Sequence, residues 1–81
     1  MKLQKGSVVR ADAGRDHGGI FVVVSAEKGY CCIADGKSRK LSNPKRKNIK
    51  HISLTGGMIE LNDITDKRLR KMLAQIRQET E

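Results

Sequence analysis

Residues 20–36 read Ile-Phe-Val-Val-Val-Ser-Ala-Glu-Lys-Gly-Tyr-Cys-Cys-Ile-Ala-Asp-Gly. Residues 20–25 form an apolar run rich in β-branched side chains, bounded by polar and glycine residues. That length and composition predict a strand covered on both faces. Glu27-Lys28-Gly29 interrupts the run, residues 30–34 predict the next strand, and Asp35-Gly36 is a strong turn signal. Two such strands in succession predict a hairpin.

Upstream, residues 7–13 alternate, with Val9, Ala11 and Ala13 on one face of a strand and Arg10 and Asp12 on the other. Gly14-Arg15-Asp16-His17-Gly18-Gly19 then breaks the alternation. Its three glycines predict a loop that needs positive φ and close backbone approach. A phosphate-cradling glycine loop opens a helix; here a β run follows, so a nucleotide-binding loop is excluded and a tight turn is expected.

Downstream, residues 37–50 carry Lys37, Arg39, Lys40, Lys45, Arg46, Lys47 and Lys50 with no acid among them. Asn43-Pro44 marks a turn in the middle, and Lys40-Leu41 is expected to add a short strand. Residues 48–54 alternate, with Ile49 and His51 on one face and Lys50 and Ile52 on the other, and predict a closing strand. Thr55-Gly56-Gly57 reads as a hinge or linker, with residues 58–61 as a short extended piece. Thr65 then has the character of an N-cap with Asp66 in the first turn, and Ile64 and Leu69 have the spacing of a hydrophobic staple. Leu69, Met72, Leu73 and Ile76 follow the i, i+3, i+4, i+7 rule over a helix of residues 66–78. Lys67, Arg70, Lys71 and Arg77 take its other face.

About five short strands with glycine turns predict a mainly β fold, a small barrel, since closure removes exposed edges. A C-terminal α-helix follows the barrel. The expected organisation is a barrel over residues 1–55, a linker over 56–64 and an amphipathic helix over 65–81. The helix must bury its stripe on the barrel or on a partner, and a domain this small needs every apolar face it has.

Composition narrows the function. Eighty-one residues make one domain with little room for a deep catalytic cleft. Trp is absent, and Phe21 and Tyr30 are the only aromatics, so the core must be aliphatic. Tyr30 is expected there with its hydroxyl at the surface. The net charge of +8 falls entirely on residues 1–52, where 12 Lys and Arg face 4 Asp and Glu; residues 53–81 hold 5 of each. A basic half beside a neutral half points to a polyanionic partner. The run 37–50 is the strongest such signal, because seven cations repel one another until phosphates relieve them. The competing reading is a solvated loop; flanking strand-like segments favour a run that is held in place. With few aromatic faces for stacking on bases, the expectation is backbone and shape recognition of structured RNA, with Arg15 and His17 in the glycine loop also able to meet it.

No catalytic set stands out. His17 stands beside Asp16 with no nucleophile marked, His51 reads as a partly buried hydrogen-bonding residue, and Glu60 and Asp63 are tied to no site. Cys31 and Cys32 are adjacent, so in a strand they point to opposite faces and do not chelate one ion together. Neither metal nor cofactor is expected, nor an enzyme. No signal peptide or membrane-length apolar run is visible, and the expectation is a cytoplasmic protein in a reducing compartment.

Certain stretches resemble a known family. Gly6-Ser7-Val8-Val9, Gly14-Arg15-Asp16-His17-Gly18 and Phe21-Val22-Val23-Val24 resemble a KOW motif. Asn43-Pro44-Lys45-Arg46-Lys47-Asn48-Ile49-Lys50-His51-Ile52 resembles a basic segment in one group of KOW-type large-subunit ribosomal proteins of archaea and eukaryotes. The whole is similar to their compact bacterial RNA-binding relatives, over about residues 5–55. The resemblance implies an SH3-like barrel that binds ribosomal or other structured RNA. It implies a loop role for Gly14 and basic contacts at Arg15 and at Lys45, Arg46 and Lys47, with Asn48 and His51 fixing the strand. His17 departs from it, standing where such loops often carry a fixed positive charge.

The expected RNA-binding set is therefore Arg15, His17, Lys37, Arg39, Lys40, Lys45, Arg46, Lys47 and Lys50, with Gly14 and Gly18 shaping the loop. Removing charge at Lys45, Arg46 and Lys47 is expected to weaken RNA binding without unfolding the domain. The alternative is a protein-interaction module of the transcription or translation machinery, docking through the stripe from Leu69 to Ile76.

Overall fold

A computed structural model describes residues 3–80; the extreme ends of the expected first and last segments, residues 1–2 and 81, lie outside the described residues. Among the described residues, five strands run in chain order: β1 (Ser7–Ala11), β2 (Ile20–Glu27), β3 (Tyr30–Ala34), β4 (Lys45–Asn48) and β5 (Ile52–Met58). The helix α1 (Asp66–Thr80) follows. The strands form a single antiparallel sheet in the order β4-β3-β2-β1-β5. The expected mainly β fold with a C-terminal helix is therefore the observed one.

Connectivity requires this sheet to curl. β4 and β5 are its two edges, which in a flat sheet would lie about 19 Å apart at the usual strand spacing. Yet they are joined only by a three-residue 3-10 turn, Ile49–His51, whose rise is about 6 Å. The edges must therefore approach each other at that end. Among the described residues no ladder joins β4 to β5, so the sheet is an open barrel of the SH3-like strand order.

Two apolar clusters hold it. Val9, Ala11, Phe21, Val23, Cys31 and Ile33 pack inside the curl. Val8, Val22 and Ala34 point the opposite way and pack against Ile59, Leu69 and Leu73. Alternate β2 residues thus enter different clusters, and Val22 and Val23 are both fully buried. The both-faces expectation for this strand is met. Two β1 details are corrected. The strand ends at Ala11 rather than 13, and its second face is not wholly polar, because Val8 lies under the helix. In β2 the register shifts between Val23 and Ser25, an extra residue at Val24 that adds local twist.

The hinge expected at Thr55-Gly56-Gly57 is not one, because those residues continue β5. The β1–β5 register passes from Val9↔Leu54 to Ser7↔Met58, so β5 carries two extra residues across this step. The glycines serve that bulge: Gly56 has φ +91°, and a Cβ on Gly57 would lie 3.3 Å from that of Val8. Thr55 Oγ1 donates to the Val8 carbonyl at 2.8 Å. The barrel thus extends past residue 55, and the chain between β5 and α1 is itself anchored, with Ile59 buried and its N–H donating to the Gly6 carbonyl.

Residues 48–54 are likewise not one strand. Asn48 accepts from the Lys50 N–H through its side chain and caps the 3-10 turn that separates β4 from β5. Lys40-Leu41 forms no strand; it lies in a turn.

The helix begins as expected. The Arg68 N–H donates to Thr65 Oγ1 at 3.2 Å, and Ile64 and Leu69 belong to one cluster. Its stripe is spent on the barrel: Leu69 is 0% and Leu73 5% exposed, with Met72 and Ile76 packed beside them. Among the described residues, no helix is long and apolar enough to cross a membrane.

Candidate nucleic-acid interface

The basic run occupies the chain from the end of β3 to the start of β5, and it is held along its length. Asp35 organises the first part. Its Oδ1 accepts from the Lys37 and Arg39 N–H groups and its Oδ2 from the Ser38 hydroxyl, while the Asp35 and Gly36 N–H groups both donate to the Arg39 carbonyl. This is an Asx-type turn, a use to which Asp is suited by its short side chain. Gly36 takes φ +79° and lies against the Asp66 carbonyl, where any Cβ would collide. The Leu41 N–H donates to Asp66 Oδ1 at 2.8 Å. The first turn of α1 therefore fixes the middle of the run, and β4 fixes its end through pairing with β3.

The seven cations fall into two groups. Arg39 and Lys47 turn inward. Arg39 Nη2 lies 3.1 Å and Lys47 Nζ 3.5 Å from the same oxygen, Asp16 Oδ2, and Lys47 also donates to the Ala13 carbonyl. The side chains of Asp16 and Lys47 are only 10% and 12% exposed. Burial by itself would raise the Asp16 carboxyl, but the Arg39 hydrogen bond and the charges of Arg39 and Lys47 outweigh it and hold the group below its ordinary value. Asp16 thus ties the glycine loop to both ends of the basic run. Lys37, Lys40, Lys45, Arg46 and Lys50 are exposed.

Arg46 is arranged differently from the lysines. Register places Arg46 opposite Cys32 and Tyr30 opposite Glu27. The Arg46 guanidinium lies 4.0 Å above the Tyr30 ring centroid and pairs with Glu27 at 3.2 Å. Tyr30 is 37% exposed, so its expected place in the core is corrected: it lies on the outside of the sheet under an arginine. An exposed guanidinium on an aromatic face is a stacked plane rather than a mobile charge.

In the glycine loop, Arg15 and His17 are exposed. Gly14 and Gly18 both have positive φ, +78° and +83°, as their loop role requires. A Cβ on Gly14 would also lie 3.2 Å from Lys47 Nζ, so the glycine leaves room for the ion pair. His51 is exposed rather than partly buried; its carbonyl accepts from the Asp12 N–H. Cys31 is buried in the inner cluster, while Cys32, half-buried, pairs across from Arg46 on the other face. Burial, with the neighbouring Cys32, raises the Cys31 thiol, as for an inert core residue. Among the described residues no three His, Cys, Asp or Glu side chains gather where they could hold a metal ion.

Local sequence places Asp16 in the glycine loop beside His17 and assigns it no distant partner; its pairing with Arg39 and Lys47 belongs to the folded chain. A signal existed: residues 1–52 hold four acids among twelve cations, and an acid inside a glycine loop is a natural counter-ion for a distant basic segment.

Fold and surface together define a small open barrel of SH3-like strand order that presents an ordered basic segment. Compared with known proteins, the chain matches no family model, and no curated protein matches it either.

Proposed function

We propose that this protein binds structured RNA through its phosphate backbone, as a KOW-type module of the kind associated with the ribosome, acting in the cytoplasm without catalysis. One observation carries the reading: the basic run is ordered by its own hydrogen bonds and by α1, yet leaves Lys37, Lys40, Lys45, Arg46 and Lys50 exposed. An array of cations held in place loses little entropy on meeting phosphates and gains from counterion release. Arg15 and His17 extend it from the glycine loop. The stacked Arg46 adds a plane suited to an unpaired base, while the single exposed aromatic leaves shape and backbone as the main determinants.

The competing interaction-module reading relied on the helix stripe as a docking face. Leu69 and Leu73 are buried against Val8, Val22 and Ala34, so that face is already occupied.

The test is affinity for a structured RNA against double-stranded DNA of matched length, across a salt series. Preference for RNA with a log K slope of about −0.7 to −0.9 per contact, summed over several contacts, supports the proposal. Weak and equal binding to both would reduce it to generic charge attraction.

A further inference from the structure

We propose a second phosphate site, resting on the RNA-binding reading and sharing Lys37 with the basic run, in the cleft between α1 and the β2–β3 side of the barrel. The cleft, about 360 Å³, is lined by Lys37, Arg70 and Arg77 over an apolar floor that includes Ile20 and Leu73. Its cations come from two elements brought together only by folding: Lys37 follows β3, and Arg70 and Arg77 lie two turns apart on α1. Among the described residues, neither Lys37 nor Arg70 takes part in an ion pair.

One acid also lines the cleft, Asp35, and its oxygens are taken up by the Lys37 and Arg39 N–H groups and the Ser38 hydroxyl. Lys37 and Arg70 against one committed carboxylate leave the cleft positive. An apolar floor beneath charges of one sign concentrates their field toward the opening. Arg77 also donates to the Gly18 carbonyl at 3.1 Å, which joins the cleft to the glycine loop carrying Arg15 and His17. Chemically the occupant is a phosphate diester of the RNA backbone: singly charged, rich in acceptors, and matched by guanidinium donors. The helix of the formally neutral half thereby becomes part of the RNA-binding surface.

The experiment compares full-length wild type with K37Q/R70Q and with K67Q/K71Q. The second pair removes the same charge from exposed helix positions that do not line the cleft. Thermal unfolding first checks that all three fold. The expected result is that K37Q/R70Q weakens structured-RNA binding about tenfold at 0.1 M salt and reduces the salt slope by about one, while K67Q/K71Q keeps the wild-type slope. Equal losses in the two variants would overturn the site. A separate arm titrates inorganic pyrophosphate and follows backbone amide shifts: changes centred on Gly19, Lys37, Arg70 and Ala74, absent in K37Q/R70Q, support the site even if wild type binds no RNA, an outcome that would refute only the RNA reading. Shifts scattered over the surface, or unchanged in K37Q/R70Q, overturn the site whatever RNA does.

Discussion

Asp16 and Arg39, 23 residues apart in sequence, meet at 3.1 Å between Oδ2 and Nη2, and Lys47 closes on the same oxygen. One carboxylate thereby neutralises part of a basic run and fastens the glycine loop to it. The positive charge that remains is displayed by residues held in a fixed frame.

Asp16→Asn removes the negative charge and leaves two mostly buried cations facing each other. The expected loss is about 1.5–3 kcal/mol, the range for hydrogen bonds to charged groups, read as a fall in the urea midpoint at unchanged m-value. A loss under about 0.5 kcal/mol would show that the pair is screened and structurally idle.

The same residue sets a pH signature. Its folded pKa is lowered below the ordinary 3.8, so its contribution is present above that value and is lost as pH falls through the lower, folded value. Wild type should therefore lose stability more steeply than Asp16→Asn as pH drops from about 5 toward 2. Parallel stability curves for the two proteins would contradict the assignment.

Charge removal in the basic run should no longer act uniformly. Lys45→Gln with Arg46→Gln is expected to weaken RNA binding at least tenfold with little change in midpoint, since both side chains are exposed. Lys47→Gln should lower stability by about 1–2 kcal/mol because it breaks the contacts to Asp16 and Ala13. The triple variant at Lys45, Arg46 and Lys47, expected from sequence to remain folded, is thus expected to lose stability through Lys47. Denaturant melts beside RNA titrations separate the effects.

Leu69→Ala should cost about 2–5 kcal/mol, the usual range for a buried leucine, and removal of residues 65–81 should unfold the barrel by exposing Val8, Val22 and Ala34. A folded, RNA-binding fragment of residues 1–64 would show that the helix is dispensable.

At the β5 bulge, Gly56→Ala should destabilise by about 1–3 kcal/mol, because φ +91° is strained for a residue with a Cβ. A flexible linker at this place would accept alanine without loss, so thermal melting decides between the two.

Local pattern by itself determined most of the elements. The run from Ile20 onward, Asp35-Gly36, and the Thr65 cap with its Leu69–Ile76 stripe each express a preference settled within a few residues, by side-chain period, turn chemistry or capping. The concentration of cations between Lys37 and Lys50 was equally visible. What escaped was whatever depended on distant partners. Gly56 and Gly57 have the composition of a hinge, and only pairing with β1 makes them a bulge. Residues 48–54 alternate like a strand, and the sheet's need to cross between its edges turns three of them into a 3-10 turn. Tyr30 has the composition of a core residue, and register puts it outside under Arg46. Among seven similar cations, sequence offers no means of telling Arg39 and Lys47 from the rest. Tertiary structure separates them because Coulomb attraction acts through space, and only the folded chain brings Asp16 within reach of those two.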